Sequence, residues 1–191
     1  MTSRFKAFLA LCAASFTLGA YAQAPDRARM SAQAEAMTRL AKMDGVWRGP
    51  AWTLQRDGTK RHIVQTERIG PFLQGSVKVL EGRGYGEGGA VAFNALGIVS
   101  YDPAKKSYSL RSYALGHSGD FDLIPTDDGY EWQIPAGPGS IIKYKAAIKG
   151  DTLHEVGHHI APGREPIHIF EMTLKRVGDT DWPAGNPVSP R

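Results

Sequence analysis

The chain has 191 residues, with 23 Lys and Arg against 19 Asp and Glu, and one cysteine. That length suits one domain, long enough to bury most of the surface its unfolded form would expose. The charge excess is small and the basic residues are scattered without a run, which excludes the usual footprints of nucleic-acid and anionic-membrane binding.

Arg4 and Lys6 precede an apolar run from Ala7 to Leu18, and Ala20-Tyr21-Ala22 follows with the small residues a signal peptidase needs. Residues 1–22 therefore read as a cleavable export signal, giving a mature chain that begins at Gln23 and is periplasmic or secreted. The run is well short of the roughly 20 apolar residues that cross a bilayer, and no later segment is more apolar, so no membrane insertion is expected after cleavage. Cys12 follows Leu11 inside the run, unlike a lipoprotein cysteine, and leaves with the signal. Disulfides, cysteine nucleophiles and thiolate metal sites are then excluded from the mature protein. Losing Arg4 and Lys6 also halves the basic excess.

Residues 23–44 form the next unit. From Asp26 to Asp44 the chain is rich in Ala, Met, Arg, Gln and Glu without Pro or Gly, which predicts a helix. Met30, Ala34, Met37 and Ala41 form its apolar stripe with Leu40 at the edge, and Gly45 is placed to end it. From residue 45 to 178 the texture changes to short alternating runs divided by turn residues. The breaks are Asp57-Gly58, Gly70-Pro71, Gly82 to Gly89, Asp102-Pro103, Gly116 to Gly119, Asp127 to Gly129, Gly137 to Gly139, Gly150-Asp151 and Pro162-Gly163. They predict about ten strands. Tyr130, Trp132 and Ile134 alternate with Glu131 and Gln133, and Phe170, Met172 and Leu174 share one face opposite Ile169, Glu171 and Thr173. Connections this short join antiparallel neighbours, so the expected fold is all-β, an antiparallel up-and-down barrel behind a short N-terminal helix, with a two-sheet sandwich as the alternative. Residues 179–191 form a Pro/Gly-rich tail expected to wrap the surface or stay mobile.

Gly45-Val46-Trp47 at the start of the first strand resembles the Gly-X-Trp opening of lipocalin-type (calycin-like) barrels. Together with the surrounding Met43 to Gly49 and the later Leu96-Gly97-Ile98-Val99-Ser100-Tyr101-Asp102, it is similar to secreted bacterial families of lipocalin-like and nitrobindin-like barrels, domains of unknown function. The resemblance covers most of the mature chain and implies that a basic residue of the last strand, here Arg176, stacks on Trp47 to close one barrel end. Gly45, Trp47 and Arg176 are thus structural. A nitrobindin-like barrel also implies haem held by a histidine, with His154, His158, His159 and His168 as conceivable ligands.

His154-Glu155-Val156-Gly157-His158 spells the zinc-protease pattern His-Glu-X-X-His, but that chemistry needs both imidazoles on one helical turn. Gly157 and the flanking turns predict a strand instead, where four residues separate the histidines by about 13 Å. Alternation puts His154 and His158 on one face and His159 on the other with Leu153 and Glu155. Surface histidines of a hairpin are the plainer expectation. Gly82 to Gly89 lacks the lysine and helix of a phosphate loop and predicts a hairpin loop or lid, with Tyr85 as a gate should it border the barrel mouth. No Ser, His and Asp grouping has the spacing of a hydrolase elbow. Polar residues on apolar faces mark a ligand cavity: Glu67, Glu155 and Glu171, with Arg111, Tyr113 and Trp132. An inward carboxylate must be paired or protonated, so Arg111 is the expected partner. The sequence therefore predicts a small-molecule binding barrel for an apolar or amphipathic ligand, requiring no cofactor. The alternatives are a barrel-cavity isomerase, cyclase or hydrolase using Glu67, Glu155 or a histidine, and a solidly packed structural barrel.

Overall fold

Residues 25–183 are described in the structure, a computed structural model, and the expected export signal lies outside them. Asp26 caps the first helix by accepting from the Arg29 amide at 2.9 Å, and helix α1 runs Arg27–Met37. It then tightens into a 3₁₀ segment, Thr38–Met43. That change corrects the expected stripe. Three residues per turn line up positions three apart, and the buried residues are Met37, Leu40 and Met43, while Met30 is exposed. Among the described residues no helix is long and apolar enough to cross a membrane.

Ten antiparallel strands follow and close into one barrel, each hydrogen-bonded to its neighbours in sequence and β1 to β10. They are β1 (Gly45–Leu54), β2 (Lys60–Phe72), β3 (Val77–Tyr85), β4 (Val91–Asp102), β5 (Ser107–Ala114), β6 (His117–Pro125), β7 (Gly129–Pro135), β8 (Ile141–Lys149), β9 (Thr152–Ile160) and β10 (Ile167–Gly178). Eight expected turns fall between strands, and one does not. Gly70-Pro71 lies inside β2, and the chain reverses over Leu73–Gly75 instead. Pro71 is tolerated there because β1 reaches only as far as Ile69, so the missing amide has no β1 partner to lose. Leu73 and Gln74 take φ of 49° and 57°, residues whose type announces no turn.

The helical segment covers one end of the barrel. Trp47, fully buried, donates from Nε1 to the Met43 carbonyl at 2.9 Å, and the Tyr108 hydroxyl donates to the Ala36 carbonyl at 2.8 Å. The Arg176 guanidinium lies 4.5 Å from the centre of the Trp47 ring, as the Gly-X-Trp resemblance implies. Gly45 sits at φ 144°, and a Cβ there would stand 2.3 Å from an Arg176 nitrogen, so glycine is required where the two strand ends meet. Lys78, also buried, pairs with Asp44 at this end. Leu153, Leu174, Val99 and Ile69 fill the covered half as a close-packed core. Residues 179–183 lie over β2, with Trp182 edge-on to Phe72 at 5.6 Å.

Candidate functional site

At the opposite end the barrel is hollow. The inward positions of β3, β4 and β5 here carry small side chains, including Gly82, Ala95, Ser112 and Ala114, so that wall leaves space. The facing wall is aromatic. Trp132 on β7 stacks on Tyr144 on β8 at 4.3 Å and 11°, Tyr144 meets Phe170 on β10 edge-on at 5.8 Å, and Phe121 on β6 tilts against Trp132 at 6.1 Å. Between them lies a cavity of about 660 Å³, within the range that takes a small organic molecule. The solid-barrel alternative is corrected by this space.

Glu67 on β2 and Glu155 on β9 both face the cavity. Glu155 is 5 % exposed and accepts from the Trp132 indole N–H at 2.8 Å, with the Tyr130 hydroxyl turned toward the same carboxyl. Glu67 accepts from the buried Gln65 amide at 2.7 Å. Its remaining accessible surface faces the cavity. Gly82 makes the placement possible, since a Cβ there would stand 2.8 Å from a Glu67 carboxylate oxygen. Neither carboxyl has a cationic partner among the described residues. Burial raises Glu67 to about 8, opposed by the Gln65 hydrogen bond and reinforced by the field of Glu155. Burial likewise raises Glu155 to about 7 against the hydrogen bonds from Trp132 and Tyr130. Desolvation beside these acids also lifts Tyr144 to about 12 and Tyr130 well above an ordinary phenol.

Of the expected ligand-binding residues, Glu67, Glu155 and Trp132 thus gather in the cavity, and three do not. Arg111 and Tyr113 lie on the outer face of β5, where Arg111 pairs with Asp120 and bonds the Tyr113 hydroxyl. The inward positions of that strand are Leu110, Ser112 and Ala114, so strict alternation turns Arg111 away and it cannot neutralise an interior acid. Glu171 faces outward between Phe170 and Met172 and accepts from His154 at 3.0 Å, a bond that lowers its pKa.

The histidines follow the same alternation. His154, His158 and His168 lie on the outer face, His168 edge-on to Trp52 at 4.7 Å and stacked on His158 at 4.9 Å. His159 has the inward parity of Glu155 and Gly157 yet is not among the cavity-lining residues. The haem implied by the resemblance does not fit these residues, because none of the four presents an imidazole to the cavity. Among the described residues no group of three or more His, Cys, Asp or Glu side chains is placed to hold a metal ion. The His-Glu-X-X-His spelling has a packing explanation. Its segment is β9, and at Gly157 a Cβ would stand 2.8 Å from the Tyr144 ring, so glycine admits the aromatic wall.

The hairpin at Gly86–Ala90 borders the cavity mouth beside Ala92 and Phe93, but Tyr85 is not a lining residue and so does not gate it. Arg61 and His117 stand at that mouth. Sequence reasoning passed over Gln65, Tyr130 and Tyr144. The signal for Gln65 was present: Ile63, Gln65, Glu67 and Ile69 share one face, and two adjacent polar positions on an apolar face mark a site rather than a core.

No family model matches the chain, and none of the curated proteins matches it. The ten-strand closed barrel is consistent with a lipocalin-like fold, and the chemistry of the cavity carries the functional reading.

Proposed function

We propose that the protein is an exported binding barrel that holds an amphipathic small molecule, its apolar part against Trp132, Tyr144, Phe121 and Phe170 and its polar part at Glu67 and Glu155. The observation that carries this reading is the cavity of about 660 Å³ with two carboxyls deep in an otherwise mostly apolar lining. The outer face supports a soluble barrel, since it bears cross-strand ion pairs such as Glu131 with Lys143 and Arg111 with Asp120. A native mass spectrum of gently purified protein tests for a resident ligand, which is expected as excess mass lost on denaturation. Titration with the neutral fluorophore prodan tests the cavity itself. Saturable emission is expected, and it is lost in Ser112→Phe, which fills the small-residue wall. Prodan emission without saturation, and unchanged by Ser112→Phe, would remove the reading.

A second reading rests on the same carboxyls. Acids held at about 7 and about 8 suit general acid–base exchange near neutral pH. An isomerase, cyclase or hydrolase of this kind would show turnover that falls at least about a hundredfold in Glu155→Gln. A binder shows no turnover to lose.

A further inference from the structure

The hydrogen-bonding capacity of the deep cavity is lopsided. The donors that reach the two acids are already committed, the Trp132 indole to Glu155, the Gln65 amide to Glu67, with the Tyr130 hydroxyl turned to Glu155. What remains toward the cavity is acceptor capacity, because Glu67 accepts from Gln65 and Glu155 from Trp132 and Tyr130, while an ionised carboxylate has about four acceptor sites. Among the described residues no cation stands beside the two acids either. The buried Lys78 is engaged by Asp44 at the covered end, and Arg61 stands at the mouth. Two acids facing one cavity without a cation between them either hold their protons or, to ionise, need something entering the cavity that brings donors and charge. The aromatic wall points the same way, since the faces of Trp, Tyr and Phe attract cations.

Resting on the binding-barrel reading above, we infer that the ligand is an organic cation, an amine on an apolar skeleton, whose ammonium N–H groups donate to Glu67 and Glu155. A neutral alcohol offers one donor and no charge. A carboxylate brings more acceptors to a place that has a surplus, and the guanidinium that would hold it among the described lining residues is Arg61, at the mouth. Binding converts a neutral acid to a carboxylate paired with the ammonium, so the proton leaves to solvent as the amine enters in its charged form.

The test is calorimetric titration of the purified protein with decylamine, decanol and decanoate at one pH near 7.5, repeated in buffers of different ionisation enthalpy, beside prodan displacement. Decylamine is expected to bind at least about tenfold more tightly than decanol, a difference of about 1.4 kcal/mol, with proton release visible as a buffer-dependent heat. The amine-to-alcohol ratio, taken within one protein so that folding losses cancel, should fall toward one in Glu67→Gln and in Glu155→Gln. If either variant fails to fold, the wild-type ratio and the proton release still decide the matter. Decanol binding as well as decylamine, or heats independent of buffer, overturns the cation while prodan binding keeps the cavity reading. Decanoate binding tightest overturns it in favour of an anchor at Arg61. No binding of prodan or of any of the three removes both readings together.

Discussion

Replacing Glu67 by Gln should stabilise the fold at alkaline pH and leave it nearly unchanged in acid. The folded carboxyl sits at about 8 against an ordinary 4.5, because burial removes its hydration. Between those values the folded chain keeps a proton that the unfolded chain has released, so rising pH favours unfolding. The stability that the protonated group supports is complete below pH 4.5 and lost as pH passes about 8. At about 1.4 kcal/mol per pH unit, the loss reaches roughly 5 kcal/mol at pH 9 and stays under about 0.5 kcal/mol at pH 4.5. Water entering through the mouth reduces the alkaline figure. Gln keeps the shape and can still accept from Gln65, but it has no charge to bury. Urea unfolding followed by tryptophan fluorescence gives the comparison at the two pH values. With a slope near 2 kcal/mol per molar, the midpoint of Glu67→Gln should lie about 2 M above wild type at pH 9 and coincide with it at pH 4.5. Equal midpoint shifts at both pH values would show that Glu67 titrates alike in the folded and unfolded chain, a loss of stability at pH 9 would show it ionised and paired in the fold, and on either result the reasoning about the cavity acids would fall.

Arg176→Ala should cost about 1–2 kcal/mol, read as a lower unfolding midpoint, because it uncovers Trp47 at the closed end; Arg176→Lys should restore only part, lacking the planar guanidinium. Gly82→Ala should destabilise by about 1–3 kcal/mol by forcing Glu67 aside, and the same change in a Glu67→Ala background should cost far less, a coupling that a double-mutant cycle measures. His154→Ala and His158→Ala should each change stability by no more than about 0.5 kcal/mol and leave the zinc content of the purified protein unchanged, since both lie part-exposed on the outer face of β9.

The barrel was legible in the sequence because a strand has a period of two and a turn has a short alphabet. Alternation in Tyr130-Glu131-Trp132 and Phe170-Glu171-Met172 identified the faces, and Gly, Pro and Asp clusters marked eight of the nine reversals. The reversal at Leu73–Gly75 was not legible, since Leu73 and Gln74 hold positive φ against their type and Gly70-Pro71 upstream offered a stronger but misleading signal. The helix stripe misled for a related reason. Nothing in the composition announces that α1 tightens to 3₁₀ at Thr38, and the tightening selects Leu40 and Met43 over Ala34 and Ala41.

The site was half legible. Glu67 and Glu155 stood out as acids on apolar faces, but the assignment of Arg111 as their partner came from charge balance without parity. Counting inward from Leu110 or Ser112 on β5 would have placed Arg111 outside. A cavity was expected from those acids, but the wall that opens it was not legible, because it is written in what is absent: Gly82, Ala95, Ser112 and Ala114 each fit a strand, and only their lateral alignment across β3, β4 and β5 makes a hollow.

That alignment bears on why the acids are there at all. A barrel of this kind has no structural need for an unpaired buried carboxyl, and two apolar residues of similar volume would make a more stable core. The same chain shows how it treats a buried charge that serves architecture: Lys78 is matched by Asp44 where the helical segment meets the barrel end. At the hollow end the rule is suspended for two groups together, and it is suspended beside the one wall whose side chains have been kept small and opposite the one whose rings are stacked. Destabilising charge and open space coincide. A defect of packing would scatter them, whereas a site that completes itself with an incoming cation requires them in the same place.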